Sequence, residues 1–233
     1  MLHKAKLFFC QIGKLVRWKK PFTTYGPKTR VCRMCFEIIK EETFHSLVHA
    51  DLCICQKCQD QFVAIFENKI INDVKVYALY DYNEFMQSNL FKLKGCGDIE
   101  LAPCFLNYHL PWLKARYRGH IIVPAPSYAD RDAKRGFNQV EEIFRSSKLP
   151  LIKAIIKTED RKQSDLSQDE RNKIKEIIAW KEQADISGKK VLLVDDVMTT
   201  GSTIRACIDL IKHHHPKSLD VLVISRVANN GQR

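Results

Sequence analysis

Val191-Leu192-Leu193-Val194-Asp195-Asp196-Val197-Met198-Thr199-Thr200-Gly201-Ser202-Thr203 is the stretch whose reading decides the fold of this chain. Four consecutive apolar residues make a strand buried on both faces, and two adjacent carboxylates end it. A loop of small residues then leads into an amphipathic helix. The hydroxyls and unobstructed N–H groups of Thr199, Thr200, Gly201, Ser202 and Thr203 suit a phosphate, and the start of the helix adds its positive dipole end. Asp195 and Asp196 are placed to accept hydrogen bonds from a ribose diol or to hold a divalent metal. Carboxylates beside a phosphate cradle fit a sugar phosphate. No Gly-Lys-Ser/Thr accompanies the loop, so a nucleoside-triphosphate P-loop is excluded.

The whole run, Val-x-x-Val-Asp-Asp-Val-x-Thr-Thr-Gly-x-Thr, resembles the phosphoribosyl-pyrophosphate (PRPP) signature of the type I phosphoribosyltransferases. That resemblance implies an α/β fold: an open, mostly parallel sheet with helices on both faces. From about residue 75 onward the pattern agrees, because strand-like and helix-like segments alternate. Strands are expected over 75–82, 120–124, 151–157, the PRPP run and 218–226. Helices are expected over 84–94, 99–116 (interrupted by Pro111), 135–147 and from 203 to about 213. Ser167 and Glu170 have the spacing of a capping box opening a further helix. His213-His214-His215 reads as a frayed, solvated helix end followed by Pro216.

A smaller unit precedes this domain. Cys32-Arg33-Met34-Cys35 and Cys55-Gln56-Lys57-Cys58 are separated by nineteen residues, a spacing read as a tetrahedral four-thiolate Zn2+ site. Such a site is structural, since four thiolates leave no open coordination position. Cys53-Ile54-Cys55 is too tight for a knuckle, so Cys53 is left out. His45 and His49 read as polar surface of the intervening loop. The spacing of Phe62, Ile65, Phe66 and Ile70 is helical. The resulting organisation is a basic segment over 1–30, a four-cysteine zinc-finger domain over 31–72 and a phosphoribosyltransferase-like domain over 73–233.

The chain carries a formal charge of +11, and its distribution is uneven. Residues 1–30 hold eight cations and no acid, interleaved with Phe8, Phe9, Trp18, Phe22 and Tyr25. A polyanion is the natural partner of such a segment, nucleic acid first and an anionic membrane surface second, and basic side chains interleaved with aromatics are what single-strand binding uses. No apolar run approaches the length of about 20 residues that spans a bilayer, and Leu7-Phe8-Phe9-Cys10 is too short for a signal peptide's apolar core. The expected compartment is the cytosol, where the nine cysteines are reduced or metal-bound.

Two further segments bear on the sugar-phosphate pocket. Pro124-Ala125-Pro126-Ser127 resembles the pyrophosphate loop of the phosphoribosyltransferases, with Ala125 and Pro126 offering it backbone and Mg2+ accompanying the PRPP. The polar stretch 158–171 resembles their mobile loop, with Arg161 and Lys162 as candidate cations. Asp195, Asp196, Arg161 and Lys162 are the candidate catalytic residues.

A closer resemblance covers 31–226. Val123-Pro124-Ala125-Pro126, Arg135-Gly136-Phe137-Asn138-Gln139, Lys94-Gly95-Cys96-Gly97-Asp98, Gln163-Ser164-Asp165-Leu166-Ser167 with Arg171, and the four-cysteine knuckle together resemble the ComF family. Ile174 stands where that family often has Asn, and Lys94-Gly95-Cys96 replaces a commoner aromatic-containing triplet. The resemblance implies a role in natural transformation: handling single-stranded DNA as it enters the cytoplasm, at the inner face of the membrane, with the DNA translocase ComFA and the recombination mediator DprA as partners. Two other functions use the same pocket, an active phosphoribosyltransferase of nucleotide salvage and a PRPP-sensing regulator.

Overall fold

The computed structural model describes residues 30–39, 52–157 and 178–227. The basic segment before Arg30, His45, His49, Arg161, Lys162, Arg171 and the capping box at Ser167 lie outside the described residues.

A five-stranded sheet has the order β1-β2-β7-β6-β3. Its strands are β1 (Ala64–Ile71), β2 (Val74–Asp81), β3 (His120–Pro124), β6 (Lys190–Met198) and β7 (Ser218–Arg226). β2, β7, β6 and β3 run parallel, and β1 closes one edge antiparallel to β2. The apolar run of β6 supplies the centre: Val191, Leu192, Leu193 and Val194 are all completely buried. At about 1.5–3 kcal/mol per fully buried aliphatic side chain, this run makes a leading contribution to stability.

Alternate β6 residues face two cores. Leu192 and Val194 join Met86, Leu90 and Leu93 of α2 (Glu84–Gly95), Leu101 and Phe105 of a 3-10 helix (Ile99–Phe105), Leu113 of α3 (Leu110–Arg116), and Val140, Ile143 and Phe144 of α5 (Gln139–Arg145). Val191 and Leu193 meet Ile204, Cys207, Ile208 and Ile211 of α6 (Ser202–Lys212). Helices therefore cover both faces, as the strand–helix alternation requires. Among the described residues, no helix is long and apolar enough to cross a membrane.

Several elements differ from their sequence expectation. The Phe62-to-Ile70 spacing forms a strand, β1. The cause is Asn72-Asp73, whose backbones take φ 48° and 61° and close a two-residue hairpin pairing Ile71 with Val74. Two successive positive φ values match the twist of a hairpin, and Asn and Asp tolerate them. Asn72 is then tied to α6 by its side chain on Asp209 and its carbonyl on Lys212, both at 2.7 Å.

The main sheet thus begins at Ala64, inside the segment that spacing assigned to the cysteine unit. That unit, which carries the one-turn α1 (Gln56–Gln59), shares its core with the sheet: Cys32, Met34, Ile54 and Cys58 belong to one buried cluster with Phe62, Tyr80 and Phe105.

The expected helix over 135–147 is shorter, Gln139–Arg145, and a separate helix that the sequence reading lacks precedes it. α4 (Ala129–Arg135) stops at Gly136, whose φ of 84° ends it, and Asn138 caps α5 by accepting from the Glu141 N–H at 3.1 Å. The segment from Leu151 joins β3 only briefly, then leaves as β4 (Ile155–Lys157). β4 pairs antiparallel with β5 (Ile178–Trp180) in a separate small sheet. His214 stacks on Trp180 at 3.8 Å, so the histidine run has one member packed and is not wholly solvated.

Candidate functional site

Asp195 and Asp196 lie within β6, which continues to Met198 because β7 stays in register beside it. On the other side β3 has already ended, at Pro124 opposite Val194. The acids therefore stand where one flank of the central strand opens, at the carboxyl ends of parallel strands, where ligands of open α/β sheets bind. The Ala125 N–H donates to the Val194 carbonyl at 2.7 Å, which holds Pro124-Ala125-Pro126 against this opening.

Asp196 is buried and Asp195 half-buried. The Asp195 carboxyl accepts from the Asp196 N–H at 2.9 Å. Desolvation, then the adjacent Asp196 charge, push Asp195 up to about 7. A buried carboxylate needs a cation, and Lys94 supplies one with its ammonium 2.7 Å from Asp196. Gln139 also donates to Asp196, at 3.2 Å. The donor set suits a hard divalent cation such as Mg2+, which takes carboxylate oxygens.

The segment Arg135-Gly136-Phe137-Asn138-Gln139 organises these partners. Arg135 donates to the Lys94 carbonyl at 2.9 Å and to the Gln139 side-chain oxygen. That fixes the Gln139 amide with its nitrogen toward Asp196. Asn138 donates to Asp132 at 2.8 Å and to Ser127 at 2.6 Å, and Ser127 also bonds Asp132. One motif thus ties the end of α2, the loop after β3 and the acid pair together.

The loop 199–203 follows the acids directly. Thr199 and Thr200 are exposed, and Thr200 and Ser202 share a hydroxyl contact at 2.9 Å. Gly201 precedes α6 at φ 76°, and the Ser202 N–H that opens the helix donates to the Thr200 hydroxyl at 3.4 Å. A Cβ there would sit 3.4 Å from Ile71, and the left-handed backbone disfavours any other residue.

Far along the chain, the sulfurs of Cys32, Cys35, Cys55 and Cys58 lie within 4.8 Å of one another, with Cys35 and Cys55 3.6 Å apart. A tetrahedron with metal–sulfur bonds of about 2.3 Å has edges of about 3.8 Å, so the four thiols fit zinc. Burial alone would raise Cys32, but N–H groups of Cys55, Cys35 and Met34 outweigh it and hold the thiol at about 7. Cys53 lies outside this set and contacts Cys104.

Lys94 and Gln139 carry no role in the sequence reading, although both stand inside quoted motifs. Their pairing with Asp196 joins positions 102 and 57 residues apart, which spacing cannot show. Lys157 also acts favourably on the Asp195 charge, and its ammonium lies 4.5 Å from the Tyr128 ring.

Residues 134–232 match the phosphoribosyl transferase domain, and this part of the chain contains the acid pair, the small-residue loop and α6. Along most of its length the chain is similar to competence protein ComFC. It is 28% identical to that of Streptococcus pneumoniae over 84% of this chain and 99% of the relative, and 26% identical to that of Bacillus subtilis over 87% of each. The ComF resemblance carried by the motifs is borne out by these relatives. Among solved structures, a Staphylococcus aureus hypoxanthine phosphoribosyltransferase aligns at TM-score 0.38 and 12% identity, over 56% of this chain and 75% of that one. A Bacillus anthracis hypoxanthine-guanine phosphoribosyltransferase aligns at 0.35 and 16%, over 54% and 69%.

Proposed function

We propose that this protein is a competence protein that handles single-stranded DNA during natural transformation, holding PRPP with Mg2+ on a phosphoribosyltransferase-like domain. Similarity to two ComFC proteins over more than four-fifths of the chain supports the competence role. The observation that carries the ligand is the acid pair. Asp195 and Asp196 sit at the open flank of the central strand and are followed by a hydroxyl-rich helix start.

In this reading the acids accept from the ribose diol and hold the metal, and Thr199, Thr200, Gly201, Ser202 and Thr203 receive the 5-phosphate. Ala125 and Pro126 border the diphosphate, with Arg161 and Lys162 as its cations. Mg2+ neutralises diphosphate charge when bound. Zn2+ at the four cysteines is structural, and its removal unsettles the core it shares with the sheet. ComFA and DprA are the proposed partners, met in the cytoplasm at the inner face of the membrane. Titration of the full chain with labelled single- and double-stranded oligonucleotides, with and without PRPP and Mg2+, tests the reading. Saturable strand binding is expected. No strand binding even at low salt would reject the DNA role and favour a salvage enzyme.

A further inference from the structure

The end of α2 and the second half of α4 border an open cavity of about 510 Å3 beside the acid pair. Lys94, Arg131, Lys134 and Arg135 line it, Gly95, Cys96 and Gly97 complete it, and no acid takes part. Two of these cations are already oriented by the fold. Lys94 is held by Asp196 and Arg135 by the Lys94 carbonyl. The Arg131 guanidinium lies 4.8 Å from the Tyr128 ring, and Arg131 and Lys134 are exposed. Charges fixed in advance lose little freedom when an anion arrives. An open cavity with this lining rejects an apolar ligand and suits phosphate.

One turn before Gly95 stands Phe91, which leaves 66% of its surface in water. Its ring reaches 3.0 Å from where a Cβ of residue 95 would be. A side chain at 95 would displace the ring, so Gly95 lets it lie against the cavity's backbone wall. An exposed aromatic ring beside a cluster of cations is the combination used for single strands, because an unpaired base stacks while the adjacent phosphate is neutralised. A duplex buries its base faces and cannot use such a ring.

We infer that this cavity, with Phe91 at its rim, binds single-stranded nucleic acid, a backbone phosphate lying among Lys94, Arg131 and Lys134 and one base stacking on Phe91. The inference rests on the proposed strand-handling role, and it assigns a strand contact to the folded domain in addition to the basic segment 1–30.

The test is fluorescence anisotropy of a labelled oligothymidylate with the full-length protein and two variants, across a salt series. All three positions changed are exposed, so equal melting temperatures are expected. Arg131→Glu with Lys134→Glu should weaken binding at least tenfold and make the log–log salt slope shallower by about 0.7, the one phosphate contact these cations share. Phe91→Ala should weaken it at least fivefold while leaving the salt slope and any duplex affinity unchanged. Wild-type strand binding that both variants reproduce would overturn the cavity assignment and leave the strand-handling role standing. No wild-type strand binding at low salt would overturn both.

Discussion

The Lys94 ammonium lies 2.7 Å from a carboxylate oxygen of Asp196, so the last turn of one helix neutralises an acid on the central strand. Lys94 also lines the basic cavity, so it stands between the acid pair and that cavity. Asp196 is buried, and among the described residues no other hydrogen-bond partner of its carboxylate carries a positive charge.

Removing that charge defines the first prediction. Lys94→Met should lower stability by about 2 kcal/mol, less than the 3–5 typical of breaking a buried pair because Lys94 keeps part of its side chain in water. Mg2+ should then raise the melting temperature of the variant more than that of wild type, since the metal supplies the missing charge. Lys94→Met combined with Asp196→Asn should recover most of the loss. Equal Mg2+ responses in wild type and Lys94→Met would refute the account of the pair.

The cysteine cluster gives the second. Protein purified without chelator should contain one equivalent of zinc, and Cys55→Ser with Cys58→Ser should lose it. Because Cys32, Met34, Ile54 and Cys58 pack with Phe62, Tyr80 and Phe105, the loss should lower the melting temperature of the whole domain rather than release a separate unit. Elemental analysis with a thermal melt decides it. Zinc retention by the double variant, or an unchanged melt after metal loss, speaks against the assignment.

These two sites differ in how they show in the sequence. The cysteines are legible because a knuckle is local: two residues separate its members, and the metal dictates that spacing. The run 191–203 is legible for the same reason, strand, acids, loop and helix following in order. The partners of Asp196 come from the ends of two helices, and only the folded sheet brings Lys94 and Gln139 to it. β1 is hidden in the sequence because apolar residues at 62, 65, 66 and 70 satisfy a helical period, while pairing with β2 decides for a strand. Asn72-Asp73 was the local sign of that hairpin. Gly136, at φ 84°, is likewise the local sign that no helix runs on from Arg135.

A third prediction concerns pH. His109 is buried against the rings of Phe66, Tyr80 and Tyr108, and desolvation lowers it from 6.5 to about 4. The unfolded chain therefore takes the proton first as pH falls. Stability is fully present above pH 6.5 and declines down to about pH 4, where the folded state also protonates. At about 1.4 kcal/mol per pH unit, the total loss is about 3.5 kcal/mol. Denaturant melts from pH 7 to pH 5 should show this slope in wild type and a smaller one in His109→Phe. Parallel curves would refute the buried neutral histidine.

The most direct measurement of the central claim is a calorimetric titration of PRPP with Mg2+ into the full-length protein and into Asp195→Asn with Asp196→Asn. The account predicts saturable one-to-one binding by wild type, weakened at least tenfold, or about 1.4 kcal/mol, in a variant that still melts cooperatively. No binding by wild type, or unchanged affinity in the folded variant, would contradict it.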